Sequence, residues 1–160
     1  MPLTRELVLA MKGHITVQSV LDQGSEFSVY LPAFDKIILA VDDEEQNRKN
    51  LQDILQNEKI VIQEAENGEM ALKFLERCTP DIIITDINMP VMDGFVLIKK
   101  IREKNELKNI PVIVATSGIL ENDSYMKINS SLLLALGANE VLDKSSDREK
   151  YMTTIRKYLN

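Results

Sequence analysis

From Lys36 onward the chain alternates, five times over, between short runs of β-branched or aliphatic residues and longer segments with apolar residues at helical spacing. Residues 37–41, 60–62, 82–84, 112–115 and 141–142 read as strands, the fourth entered through Pro111. Between and after them, helices are marked in turn by Leu51, Ile54 and Leu55, by Met70, Ala71, Phe74 and Leu75, and by Phe95, Ile98 and Ile101. Tyr125, Ile128, Leu132 and Leu136 mark the fourth, stopping at Gly137, and Tyr151, Ile155, Tyr158 and Leu159 the last. Continuous rather than alternating apolar character in the strands predicts a parallel sheet covered on both faces, because right-handed crossovers leave few other arrangements.

The fold class expected is therefore α/β, a flavodoxin-like, doubly wound, five-stranded parallel sheet. Ligands of such sheets bind beyond the carboxyl ends of the strands, and several chemically capable residues fall there. Asp42 and Asp43 end the first strand, Asp86 the third, Thr116 the fourth and Lys144 the fifth. Asp86 opens an Asn88-Met89-Pro90-Val91-Met92-Asp93-Gly94 loop rich in backbone punctuation. An ionised carboxylate at a sheet edge is costly unless water, a cation or a chemical partner compensates it. Three together repel, so a hard divalent cation is the economical explanation, and carboxylate, carbonyl and water ligands suit Mg2+. A phosphoryl group on Asp86 would then present its oxygens to the cation, to the Thr116 hydroxyl and to the Lys144 ammonium.

Composition excludes several other functions. The net charge of −6 argues against a nucleic-acid surface, which needs clustered lysine and arginine. Cys78, the single cysteine, closes no internal disulfide. No apolar run approaches the roughly 20 residues that span a bilayer, and no signal-peptide pattern is present, so no membrane contact is expected of this segment. The cytoplasm is the expected location, although a longer parent could carry an anchor. At 160 residues, 44% hydrophobic, the chain has material for one good core and a small appendage.

That appendage is the stretch before the alternation. Leu3, Leu7, Val8 and Met11 sit at helical spacing before Gly13; residues 14–21 and 27–31 read as a hairpin ending at Pro32. One helix and two strands bury too little to fold alone, so the segment must dock, dimerise or belong to something larger. Met11-Lys12-Gly13 and Gly24-Ser25-Glu26-Phe27-Ser28-Val29-Tyr30-Leu31-Pro32 resemble the C-terminal end of the ATP-binding domain of sensor histidine kinases. That family's nucleotide-binding motifs are missing here, so these residues should not bind ATP. A homodimer through this segment is a second expectation, burying Leu7, Val17 and Phe27.

Residues 36–160 resemble the receiver domain of two-component response regulators, through Asp42-Asp43, Asp86 with its Met-Pro-x-Met-Asp-Gly loop, Thr116 and Lys144. The resemblance implies that Asp86 is the phosphoacceptor and that Asp43, Asp86 and the Asn88 backbone carbonyl contact Mg2+, with Asp42 acting through water. It also implies that Thr116 and Lys144 hold the phosphoryl group. The partner would be a phosphohistidine-bearing kinase or phosphotransfer domain. Such a module catalyses its own aspartyl phosphorylation and dephosphorylation and lacks kinase activity. With residues 1–34 as a kinase remnant and 35–160 as receiver, the whole looks like the tail of a hybrid histidine kinase. With no output domain after Asn160, phosphate would be passed onward or would regulate the kinase.

Three positions depart from the receiver pattern. Ser145 follows Lys144 where receivers usually carry proline, often after a cis bond; before serine that bond costs about 2.5–4 kcal/mol, so either a strained cis bond or a rearranged loop is expected. Val141 replaces the usual switch aromatic. Lys144 follows Thr116 by 28 positions, several more than usual, with the excess assigned to residues 117–124. Two other functions are weighed. A phosphorylation-independent binding module is suggested by Ser145 and Val141. An aspartate-nucleophile phosphohydrolase of the haloacid dehalogenase type is disfavoured, because Asn88 stands where its second acid would. His14, at a strand start, is read as a packing residue rather than a phosphodonor, and Cys78 as a packing thiol. Glu44-Glu45 fits a helix amino terminus and Lys99-Lys100 a solvated face.

Overall fold

The computed structural model describes residues 6–8, 14–20, 24–30, 36–56, 59–117 and 130–159. The chain divides into two compact units, Met1–Phe34 and Asp35–Asn160. In the first, residues 6–8 are helical, and β1 (His14–Val20) pairs antiparallel with β2 (Gly24–Tyr30). The register sets Ile15 against Val29 and Val17 against Phe27, which places these four apolar residues on one side of the ribbon. Leu3, Met11, Gly13, Leu21, Leu31 and Pro32 lie outside the described residues.

The second unit runs β3 (Lys36–Val41), α1 (Glu45–Leu55), β4 (Ile60–Ala65), α2 (Gly68–Leu75), β5 (Ile82–Thr85), α3 (Gly94–Glu103), β6 (Val112–Thr116), α4 (Ser130–Leu136), β7 (Glu140–Asp143) and α5 (Arg148–Leu159). The strand order is β4-β3-β5-β6-β7, all parallel, which is the doubly wound arrangement expected. Every residue of β5 and β6 is buried, as their unbroken apolar runs require. Side-chain alternation divides the core into two layers. Leu39, Val41, Ile83, Val112 and Val114 pack with Leu97, Ile98, Ile101 and Leu133, whereas Ile38, Ala40, Ile82, Ile84 and Ile113 pack with Leu51, Leu55, Tyr151 and Ile155. Truncating a fully buried member such as Ile83 to alanine costs about 2–5 kcal/mol.

Local chemistry fixes the helix ends. The Asn67 side chain accepts from Met70 N at 3.0 Å and that of Asp93 from Val96 N at 2.8 Å, capping α2 and α3. Helix α4 stops at Gly137 (φ +109°), with Gly137 N donating to Leu134 O and Ala138 N to Leu133 O, both at 3.0 Å. This is a Schellman closure, which the left-handed glycine permits. The Arg102 guanidinium on α3 donates to Gly137 O (2.8 Å), Lys108 O (3.0 Å), Ile110 O (2.9 Å) and Asn139 Oδ1 (2.9 Å), tying α3 to the chain that follows α4. Strand β4 continues through Gln63 and Glu64 to Ala65, further than its apolar run, because an edge strand tolerates polar side chains facing water. Tyr125, Ile128 and the segment after Ser117 assigned the extra residues lie outside the described residues.

Candidate functional site at the carboxyl edge of the sheet

The central strands bring the predicted residues together by extending their ladders one step. Asp42 N donates to Ala65 O (3.0 Å) and Asp86 N to Val41 O (2.8 Å), so both aspartates are pinned just past the strand ends. Lys144 N donates to Thr116 O (3.1 Å), which brings the end of β7 beside that of β6.

Asp42 is only 7% exposed and Asp86 only 6%, whereas Asp43 faces water. Lys144 Nζ bridges the two buried carboxylates, 2.8 Å from Asp42 Oδ2 and 2.8 Å from Asp86 Oδ2. The other oxygens are also occupied. Asp42 Oδ1 accepts from Glu44 N and Asn47 Nδ2, both at 3.0 Å, and Asp86 Oδ1 accepts from Ile87 N at 2.6 Å. Thr85 Oγ1 donates to Asp86 O (2.8 Å), fixing the peptide that follows Asp86. Burial alone would lower the Lys144 pKa; the Asp42 and Asp86 carboxylates outweigh it and hold the ammonium above the ordinary lysine value.

The loop after Asp86 is shaped by two tight positions. A Cβ on Gly94 would stand 2.2 Å from Asp86 O, so only glycine allows α3 to start against the backbone of Asp86. Val91 adopts φ +67° while Met92 N donates to Pro90 O (2.7 Å), a three-residue turn around a left-handed, exposed, β-branched residue. Asn88 is exposed in the same loop.

The β6–β7 side differs in character. Thr116 is fully buried and its Oγ1 has no hydrogen-bond partner. Val141 is half-buried against the core layer of α4. No cis peptide occurs among the described residues. The expected alternatives at Lys144-Ser145 therefore resolve to the rearranged loop: Asp143 Oδ1 accepts from Ser145 N (2.8 Å) and Ser145 Oγ (2.5 Å), and Ser146 N donates to Asp143 O (2.9 Å). A serine supplies the donors that a proline there would lack.

A cavity of about 60 Å3 is lined by Asp42, Asp86 and Lys144 together with Leu51, Ile54 and Tyr151. These apolar walls strengthen every charge interaction beside them. Burial pushes the Tyr151 phenol up to about 12; Lys144 works against that rise, and Asp143, Asp42 and Asp86 add to it. Asn47, Arg48, Thr85 and Tyr151 carry no motif, and sequence reasoning missed them. Spacing from Asp42 into the first turns of α1 is the signal that could have found the first two.

Ligand oxygens of Asp42, Asp43 and Asp86 lie within 4.8 Å of one another. Three carboxylates against one ammonium leave an excess of negative charge on an all-oxygen donor set that is open to solvent at Asp43, which fits a hard divalent cation.

Comparison with known proteins agrees with this geometry. The chain is 34% identical over 125 residues to the sensor histidine kinase CheAY of Helicobacter pylori, covering 77% of this chain and 15% of that protein. It is 31% identical over 145 residues to histidine kinase P4 of Formosa agariphila, covering 88% of this chain and 10% of that one. The chain thus spans a small part of the length of these relatives. Among solved structures, the signal receiver domain of a signal transduction histidine kinase from Syntrophus aciditrophicus superposes with a TM-score of 0.68 at 27% identity, over 78% of this chain and 89% of that one. No described helix is long and apolar enough to cross a membrane. The profile of the response regulator receiver domain matches residues 38–156, and with its site at the carboxyl edge of a five-stranded parallel sheet the chain belongs to that two-component family.

Proposed function

We propose that the protein accepts a phosphoryl group on Asp86 from the phosphohistidine of a kinase or phosphotransfer partner. The observation that carries this reading is the Asp86 carboxylate, one oxygen held by Ile87 N and the other by Lys144 Nζ, next to Asp42 and Asp43. An Asp86 oxygen attacks phosphorus, the P–N bond breaks, and the donor imidazole leaves with the bonding pair and takes a proton from water. Lys144, already in place, moves from neutralising the carboxylate to neutralising the phosphoryl oxygens, and the unpartnered Thr116 hydroxyl is free to donate to one of them. Asp43, Asp86 and the Asn88 carbonyl would hold Mg2+, with Asp42 acting through water; when bound, the cation neutralises charge developing on the transferred group.

Two-component relatives and the length of one match support a hybrid-kinase origin. The similarity to histidine kinase P4 covers 88% of this chain, more than Asp35–Asn160 contains, and so takes in part of residues 1–34. On this reading Met1–Phe34 ends an ATP-binding domain and Asp35–Asn160 is the receiver, in the cytoplasm, with the parent protein supplying kinase activity. Val17 and Phe27, 59% and 49% exposed on one side of the hairpin, also favour a homodimer. Sedimentation of the full chain should then depend on concentration and lose that dependence in Val17→Glu.

Intact mass after incubation with acetyl phosphate and Mg2+ tests the main reading. One phosphoryl group should add to the wild type, and none to Asp86→Ala or to a metal-free control. A folded wild type that takes up nothing overturns it.

A further inference from the structure

Arg48 is a buried cation that the phosphotransfer chemistry does not use. It lies on α1, 7% exposed, where the helical pattern alone would give it to solvent. Its Nη1 donates to the main-chain oxygen of Asp42 at 2.6 Å, and its Nε to Glu64 Oε2 at 2.8 Å. Glu64 is held in turn by Gln52 Nε2, one turn further along α1. In the β3–β4 register Glu64 stands opposite Ala40, two residues before Asp42, so the guanidinium, from α1, ties the end of β3 to the neighbouring strand.

The carbonyl it grips lies past the end of the β3 ladder and belongs to the Asp42–Asp43 peptide. A peptide is a rigid plane, so fixing that oxygen fixes where the Asp43 N and Cα stand, the points from which its side chain departs. Asp42 is secured elsewhere as well: its N by Ala65 O, Oδ1 by Glu44 N and Asn47, and Oδ2 by Lys144. Asp43 is the exposed acid of the three. We infer that Arg48 is a positioning residue for the cation site, setting the Asp42–Asp43 peptide so that the Asp43 carboxylate faces Asp86; this rests on the phosphoacceptor reading above. Glu64 completes the device, since its charge offsets that of the guanidinium and keeps it from repelling the cation. Arginine is required because only its planar fork makes both directed bonds at once.

The test is Mg2+ binding to the full chain by calorimetry, beside the Mg2+ dependence of phosphorylation by acetyl phosphate. Arg48→Met should weaken Mg2+ binding by about ten- to a hundredfold, the usual effect of losing a group that orients a ligand. The half-saturating Mg2+ concentration for phosphorylation should rise in parallel, while the rate at saturating Mg2+ changes little. Arg48→Lys should recover part of the loss, and Glu64→Gln should give a smaller weakening while preserving the fold even where Arg48→Met does not. Leu55→Ala loosens the same helix at a buried position outside the site cavity and should bind Mg2+ as the wild type does. Wild-type affinity in Arg48→Met or Arg48→Lys, or an equal loss in Leu55→Ala, overturns the inference alone. A wild type that binds no Mg2+ overturns the phosphoacceptor reading and the inference with it.

Discussion

The two halves of the site are built to opposite specifications. On the β3–β5 side Asp42 has a partner for its amide, its carbonyl and both carboxylate oxygens, and Asp86 for its amide, its carbonyl and both of its own. On the β6–β7 side a hydroxyl is buried with none, and the half-buried Val141 pairs with Val114, two residues back along β6. An unmet buried hydroxyl costs about 1–3 kcal/mol, and it persists here beside a fully met network. On the proposed reading this is a division of labour: one half holds Asp86 still, and the other is left to respond once a phosphoryl oxygen supplies the Thr116 hydroxyl with a partner.

Lys144 joins the halves, so its loss should have the largest effect. Lys144→Met should slow phosphorylation by acetyl phosphate about 10²–10³-fold, the usual cost of losing a group aimed at developing charge. Mg2+ affinity in the same variant should rise, because an ammonium that competes for Asp42 and Asp86 has gone; weaker Mg2+ binding would mean the two halves are not joined in this way. Next comes Gly94→Ala, with its Cβ 2.2 Å from a backbone oxygen of the rigid half. It should cost about 3 kcal/mol in urea unfolding, and a near-neutral result would show that this half yields.

An alkaline titration gives a smaller and graded effect. Lys144 and Tyr151 both hold their protons more tightly when folded than their ordinary values of 10.5 and 10.0. Above about pH 10 the unfolded chain releases protons that the folded chain keeps, so stability is full below that point and falls as pH rises toward 12. Thermal midpoints across that window should decline less in Tyr151→Phe. The smallest effect tests the responsive half. Thr116→Val removes the orphan hydroxyl and should gain up to about 1 kcal/mol in stability. Amide shifts of β6 and β7 on phosphorylation should shrink in that variant, and a clear loss of stability would mean the hydroxyl is already satisfied.

Much of this was readable in advance, for a physical reason. Runs such as Ile82, Ile83 and Ile84 identify buried parallel strands, and a parallel sheet sends every strand end to one edge, so Asp42, Asp86, Thr116 and Lys144 needed no further information to be brought together. Arg48 was not readable, because an arginine on an amphipathic helix is ordinarily solvated, and nothing local says that a carbonyl waits for it across the α1 turn. Tyr151 reads as one more core aromatic; only the packing of α5 brings its phenol within reach of the acids. The Lys144-Ser145 turn was undecided, since the outcome depends on which donors Asp143 finds and not on any propensity of serine.

The Arg102 clasp on the far side of α3 has a consequence for ionic strength. All four of its bonds end on carbonyl or amide oxygens, with no carboxylate among them. Exposed pairs such as Lys49–Glu45 and Lys73–Glu69 weaken as salt screens them. Bonds from a half-buried guanidinium to neutral oxygens have no counter-charge to screen, so the join between α3 and the end of α4 should hold in molar salt as it does in dilute buffer.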